Sequence, residues 1–305
     1  MRLIHIKNTH LDVPVIGVGC MRMGSLTDAE AYKVISTSLE AGLNFFDHAD
    51  VYAQGRSEEI FRNALQMGGI KREDVILQTK CGICKGMYDM SKQHIIEAAE
   101  GSLKRLGTDY LDILLLHRPD ALTDPEEVAE AFDVLHSSGK VRYFGVSNHN
   151  PMQIALLQKY LPHKLIINQL QLSITNCGMI RSGINVNMEN EAGINRDDSV
   201  LDYCRLNDIT IQPWSPLQYG FFEGVFVGSE KYPKLNEVLA QIGERYQITP
   251  TAVAIAWLLR HPANMQPIIG SMNPDRIGEI ARAADVTLTR REWYDIYLSA
   301  GNTLP

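Results

Sequence analysis

The sequence predicts an α/β protein of one domain, a (β/α)8 TIM-type barrel with an N-terminal β-hairpin and an extra C-terminal helix. Three observations lead there. Short, nearly continuous apolar runs alternate along the chain with helical patterns, and such runs are strands buried on both faces that need helices outside them. Eight strand–helix units fit within the 305 residues, close to the ~250 typical of such a barrel. No low-complexity linker divides the chain, so residues 1–305 read as a single domain. The competing doubly wound sheet wants a glycine fingerprint after its first strand. Gly17-Val-Gly19-Cys-Met-Arg22 has arginine where the third glycine would stand, and that reading is set aside. The two glycines are expected instead to let the backbone approach something flat and close.

In chain order, Ile4–Ile6 and Leu11–Ile16, broken around His10 to Pro14, read as a small hairpin, followed by a strand over Val15–Cys20. Thr27-Asp-Ala-Glu30 is a capping box that opens a helix to Ala41. Strand Leu43–Asp47 follows, then a helix over Ser57–Met67 and strand Val75–Lys80. Ser91 begins a helix that closes near Leu106-Gly107, and the continuously apolar Leu111–His117 is the next strand. A helix over Asp124–Ser138 leads to strand Val141–Val146, which ends at Ser147-Asn148. Pro151, at a first helical position, starts a helix to Tyr160, and Leu165–Leu172 is a strand. From Thr175 to Asp198 the sequence is polar and aperiodic and reads as a loop. Helix Val200–Asn207, strand Ile209–Trp214, an amphipathic helix Lys234–Tyr246 and a second helix from Thr249-Pro250 to His261 come next. Gln266–Gly270 is the last strand, Asp275–Ala284 its helix, and Arg290–Ala300 the closing helix.

Composition narrows the function classes. Apolar residues make up 45% of the chain and charged ones 21%, as in ordinary globular proteins. The net charge of −7 and the lack of a basic stretch argue against nucleic acid as a partner. The first twelve residues lack the apolar core of a secretory signal, and the longest apolar run, Ala252–Leu259, is far too short to span a membrane. Five cysteines, an odd number in a long chain, suit a reducing compartment, so a cytoplasmic protein with no membrane partner is expected.

The chemistry is expected where strands end, because ligands of barrel folds bind at the carboxyl ends of the strands. Asp47, Lys80 and His117 all fall at such ends, with Tyr52 in the loop beyond the second strand. Singly, each has a bland reading: a loop cap, a snorkelling lysine, a satisfied rim histidine. Four polar groups converging on one rim make a reactive site the better reading.

With these residues in view, the sequence resembles the aldo-keto reductase family over essentially its whole length. The resemblance is carried by Asn44-Phe-Phe-Asp-His-Ala-Asp-Val-Tyr52, Gln78-Thr-Lys80, Leu114-Leu-Leu-His117, Gly145-Val-Ser-Asn148, Asn168-Gln169, Trp214-Ser-Pro-Leu217 and Pro267-Ile-Ile-Gly-Ser271. It implies reduction of a small-molecule carbonyl substrate by hydride from a reduced nicotinamide, with Tyr52 as proton donor. In that reading Lys80 lowers the pKa of the phenol, ~10 when free, and ~2 units of lowering would correspond to ~3 kcal/mol. Asp47 is the counter-ion of Lys80, and neutral His117 orients the carbonyl oxygen. The resemblance further implies a cofactor cradle. Ser147, Asn148 and Gln169 would bind the carboxamide, and Trp214 would stack under the ring. Ser215, Leu217 and Gln218 would line the pyrophosphate path, with Cys20, Met21 and Arg22 on the nicotinamide side. Gly270, Ser271, Asn273 and Arg276 would hold the adenosine phosphate and Glu279 the adenine side. Ser271 and Arg276 favour NADP(H) over NAD(H), while Gly270 stands where some relatives carry lysine. The alternative within this resemblance is a cofactor-binding regulatory subunit with little turnover.

Some residues depart from the pattern or invite other chemistry. His48 stands where the family often has threonine, and Ala53 where glycine is usual. Cys81-Gly-Ile-Cys84 is an isolated pair without a second pair at metal spacing, and His94-Ile-Ile-Glu97 has no third ligand, so no metal is expected. Phe221, Phe222 and Phe226 read either as packing or as an apolar lid, and Met21, Met23, Met87 and Tyr88 as an apolar mouth.

Overall fold

The computed structural model describes residues 1–305. Eight strands are arranged as a closed barrel: β1 (Gly17–Gly19), β2 (Phe45–Asp47), β3 (Ile76–Cys81), β4 (Leu111–Leu116), β5 (Val141–Ser147), β6 (Leu165–Gln171), β7 (Thr210–Trp214) and β8 (Ile268–Ile269). All neighbours run parallel and follow sequence order, with β8 pairing both β7 and β1. The strands thus match the sequence reading, although β1 and β8 are shorter than expected. Gly17 and Gly19 serve that closure. A Cβ on Gly17 would lie 2.6 Å from Ile268 Cδ1, and one on Gly19 3.0 Å from Ile268 Cγ2. The flat neighbour anticipated for these glycines is therefore the adjoining strand β8.

The helices begin where local chemistry dictates. In helix α1 (Asp28–Glu40) Thr27 and Glu30 form the reciprocal capping box. Helix α2 (Arg56–Gly68) follows β2, and α3 (Lys92–Leu106) is capped by Ser91 and stopped by Gly107 at φ +65°, a left-handed position that favours glycine. Helices α4 (Pro125–Ser137) and α5 (Pro151–Tyr160) each pair an Asp or Asn cap with proline at the first position. Residues 175–198, read as loop, contain the short helix α6 (Gly178–Ile184), whose seven residues include two glycines and are too few to register a helical period. Helices α7 (Val200–Leu206), α8 (Pro233–Tyr246), α9 (Pro250–Leu259), α10 (Pro274–Ala281) and α11 (Arg290–Ser299) complete the shell. None is long and apolar enough to cross a membrane.

The core has two parts. The larger lies between barrel and helices. The smaller fills the barrel's lower interior with Phe45, Ile113, Leu115, Ile166, Ile167 and Ile268. The N-terminal hairpin, Leu3–His5 with Asp12–Pro14, lies against it and contributes Ile6 and Val13 to its packing, flooring the barrel. Period-two alternation along each strand then decides what stands above the floor. Two residues beyond Phe45 comes Asp47, two beyond Leu115 comes His117, and two beyond Ile167 comes Gln169. These three side chains stand inside the barrel toward the carboxyl ends.

Candidate active site

At that end the structure opens into a cavity of about 790 Å3. Asp47, Tyr52 and His117 line it, while Lys80 lies beneath, fully buried. Strand register explains the meeting. Asp47 pairs across β2–β3 with Gln78, two residues before Lys80, and both β3 side chains turn inward. Lys80 Nζ donates to both carboxylate oxygens of Asp47, at 2.8 and 2.7 Å, to the His48 carbonyl at 2.8 Å and to Tyr52 Oη at 3.2 Å. Four acceptors surround one ammonium. Directly after Tyr52, residues 53 and 54 are both at positive φ and turn the chain tightly.

The electrostatics follow from burial and this contact set. Burial works against the charge on Lys80, but the Asp47 carboxylate and the Tyr52 oxygen outweigh it and raise the ammonium pKa above its ordinary value. Burial likewise pushes the Tyr52 phenol up, and the Lys80 charge only partly offsets it. The net lowering expected for Tyr52 is thus corrected: desolvation in a dry rim exceeds the pull of a cation that Asp47 already neutralises. At neutral pH the phenol carries its proton. Burial, then the Lys80 and Arg118 charges, hold His117 well below the usual imidazole range, so it is neutral. Its ring stands edge-on to Tyr52, with centroids 6.0 Å apart.

Most of the expected cradle residues share the cavity: Met21, Arg22, Ser147, Asn148, Gln169, Trp214, Ser215, Leu217, Gln218, Gly270, Ser271 and Arg276. Trp214 Nε1 donates to Asn148 Oδ1 at 3.0 Å, which fixes the indole beside the strand-end amide. Asn148 sits at φ +62° and Ser215 at φ +50°, so the chain bends sharply just past β5 and β7. Three expected residues lie elsewhere. Cys20 is fully buried in the outer core, its thiol directed to Val18 O at 3.7 Å. Asn273 accepts from Arg276 N at 3.0 Å and serves as the N-cap of α10. Glu279 is exposed on α10, outside the cavity. Ser271 and Arg276 at the cavity edge, by the N-terminus of the eight-residue α10, suit a phosphate.

The sequence reading passed over several cavity residues. Arg118 follows His117 directly, lines the cavity, and stands with its guanidinium carbon 5.9 Å from the Trp214 ring centroid. Position after a strand-end histidine was the available signal. Thr251 and Val227 come from segments with no strand-end motif. Of the three phenylalanines, Phe222 stacks on Trp214 at 5.9 Å between centroids and lines the cavity. Phe226 is core, and Phe221 is largely exposed. Phe222 arrives on a ribbon of Gln218–Tyr219 with Gly224–Val225, whose two-residue strands gave no pattern to read. Met21 joins the cavity, Met23 is core, and Met87 and Tyr88 are exposed on a second small ribbon. Cys81 is buried with its thiol toward Leu115 O, and Cys84 Sγ lies 3.7 Å from His94 Nε2.

The sequence profile of the "Aldo/keto reductase family" matches residues 15–297. The chain belongs to the aldo/keto reductase family. Among relatives of this reductase are the "Uncharacterized oxidoreductase YcsN" of Bacillus subtilis (strain 168), 38% identical over 89% of this chain and 88% of its own length, and a "6-dehydroglucose reductase" of Agrobacterium fabrum, 34% identical over 95% of each. A crystal structure of MGS-M4, an aldo-keto reductase from a deep-sea metagenome library, is 26% identical and superposes with a TM-score of 0.75, covering 99% of this chain and 97% of that one. The reductase is accordingly an oxidoreductase of the aldo-keto type, from a family that reduces carbonyl groups with nicotinamide cofactors.

Proposed function

We propose that the protein reduces aldehydes and ketones to alcohols with NADPH, Tyr52 giving the proton. The observation that carries this is the ammonium of Lys80, set among four acceptors, held charged by Asp47 and 3.2 Å from Tyr52 Oη. A nicotinamide bound in the cavity would supply hydride. Ser147, Asn148, Gln169 and Trp214 would seat its ring, and Ser271 and Arg276 its adenosine phosphate, which favours NADPH over NADH.

The chain's own groups would then do the following. Neutral His117 donates a hydrogen bond to the substrate oxygen and sets its angle. As hydride reaches the carbonyl carbon, negative charge grows on that oxygen. The Tyr52 phenol, protonated until then, transfers its proton to it. The phenolate left behind is stabilised by Lys80, which makes no such contribution while the phenol is neutral. That difference between states is what lowers a barrier. The cavity is large enough for a cofactor headgroup and a modest substrate together, and Arg118 offers a polar contact to a hydroxylated one. Two relatives named for reduction of 6-dehydroglucose are in keeping with that.

Fluorescence titration with NADPH and NADH, followed by their consumption with a panel of carbonyl compounds, tests the proposal. Tyr52→Phe is expected to lose about 10²–10⁴-fold in turnover while binding cofactor nearly as well. A Tyr52→Phe variant that keeps most of its turnover overturns the assignment. A wild-type protein that retains NADPH tightly and turns nothing over points to the cofactor-sensing alternative.

A further inference from the structure

Beneath Asp47 four buried glutamines form a continuous ladder down the barrel axis. Gln78 Nε2 donates to Asp47 Oδ1 at 2.6 Å and to Gln212 Oε1 at 2.8 Å. Gln169 Nε2 makes the same two contacts, at 3.0 and 3.1 Å. Gln212 Nε2 donates to Gln266 Oε1 at 2.8 Å, and Gln266 Nε2 to the Pro14 carbonyl of the floor hairpin at 2.7 Å. Gln78, Gln212 and Gln266 are fully buried and Gln169 is 3% exposed.

The direction of every amide is forced from the floor upward. Pro14 offers only an acceptor, so Gln266 must present its NH2 there and its carbonyl to Gln212. Gln212 must then donate downward and accept upward. Gln78 and Gln169 must therefore turn their NH2 groups inward, and those same groups face Asp47 Oδ1. An unprotonated carboxylate oxygen is the partner that satisfies them.

We infer that Gln78 and Gln212 are positioning residues of the proton-transfer site: through the ladder they fix the Asp47 carboxylate against Lys80 and turn Gln169 so that its Oε1, not its NH2, is left for the cavity. This rests on the reductase reading above and names residues that act through Asp47 and Gln169 rather than on substrate. Besides the two amides, the charged and titratable groups around Asp47 are Lys80, Tyr52 and the Cys20 thiol. Amide donors on Oδ1 draw electron density from the face of Asp47 that neutralises Lys80. The ammonium is left a stronger donor to Tyr52. A free Gln169 carbonyl matches the NH2 of a carboxamide and would reject a group presenting only an acceptor.

The test is Gln212→Met and, separately, Gln78→Met, with methionine of similar volume, each compared with wild type. With donors to Asp47 loosened, Lys80 supports the Tyr52 phenolate less and the phenol titrates higher. The pH profile of alcohol oxidation, which needs the phenolate, is expected to move to higher pH by about one unit, so that oxidation below the transition falls about tenfold. Carbonyl reduction at the same pH, which uses the phenol, should change far less. NADPH affinity, read by fluorescence, should weaken in Gln212→Met as Gln169 loses its orientation. Thermal melting identifies any variant that fails to fold, and the other then carries the same expectation. Folded variants whose pH profiles coincide with wild type overturn the inference. Inactivity of the wild-type protein would instead overturn the reductase reading.

Discussion

His48 is fully buried, its ring edge-on to Phe61 at 4.6 Å, and neither ring nitrogen has a partner. Burial, with the Lys80 charge adding to it, lowers its pKa from 6.5 to about 3. Between those values the unfolded chain binds the proton and the folded protein does not. Stability is therefore full above the ordinary value and is lost as pH falls toward the depressed one. At about pH 5 this amounts to about 2 kcal/mol. His48→Leu is expected to shrink the drop in melting temperature between about pH 7.5 and pH 5, and an unchanged drop would refute it. His149 and His261, each lowered to about 4, retain their own share of acid sensitivity. At this scale the candidate reactive groups were legible because strand ends advertise them: Asp47, Lys80 and His117 each stand at the end of an expected strand. Arg118 and Gln212 were not. The first looks like any loop arginine, and the second sits inside a strand while its partners come from two other strands and the segment before β8.

The closing helix α11 shows how an element is seated. Trp293 stacks on Trp257 of α9, with centroids 4.8 Å apart and planes within 9°. Each indole N–H donates to the other's backbone carbonyl, at 3.1 and 3.2 Å. Both polar handles of two large buried rings are thus satisfied reciprocally. Trp293→Ala is expected to cost about 3–5 kcal/mol in denaturant unfolding, with turnover per folded molecule unaltered. A loss under about 1 kcal/mol would show that α11 is held by something else. Helix existence was legible from start signals: Thr27, Ser91, Pro151 and Thr249 each mark the start of an observed helix. The seating of α11 was not, since the two tryptophans stand 36 residues apart and carry no shared pattern.

A closed barrel has no free edge, so a disturbance at one strand travels to its neighbours. Gly145 on β5 is a place to observe this. A Cβ there would lie 2.8 Å from Ile167 O and 2.7 Å from Leu115 Cδ2, and the first of these is backbone that cannot swing away. Gly145→Ala must push β5 from β6, at about 1–3 kcal/mol. Ser147 and Asn148 stand at the end of the same strand, and the Asn148 contact with Trp214 goes with them. Calorimetry and NADPH titration should both register the change; full affinity in a destabilised protein would show that the two are uncoupled. The eightfold architecture itself was legible from alternation alone. Its closing seam was not, because β8 contributes only two residues to the ladder.

The floor hairpin bears on how the chemistry is reset. Ile6 and Val13 are buried at the base, where Gln266 donates to the Pro14 carbonyl, whereas the cavity lies at the carboxyl ends of the strands. On the proposed chemistry, a spent Tyr52 has buried side chains below it and the cavity above. It can recharge only from the side where the alcohol sits, and so only once that alcohol has departed.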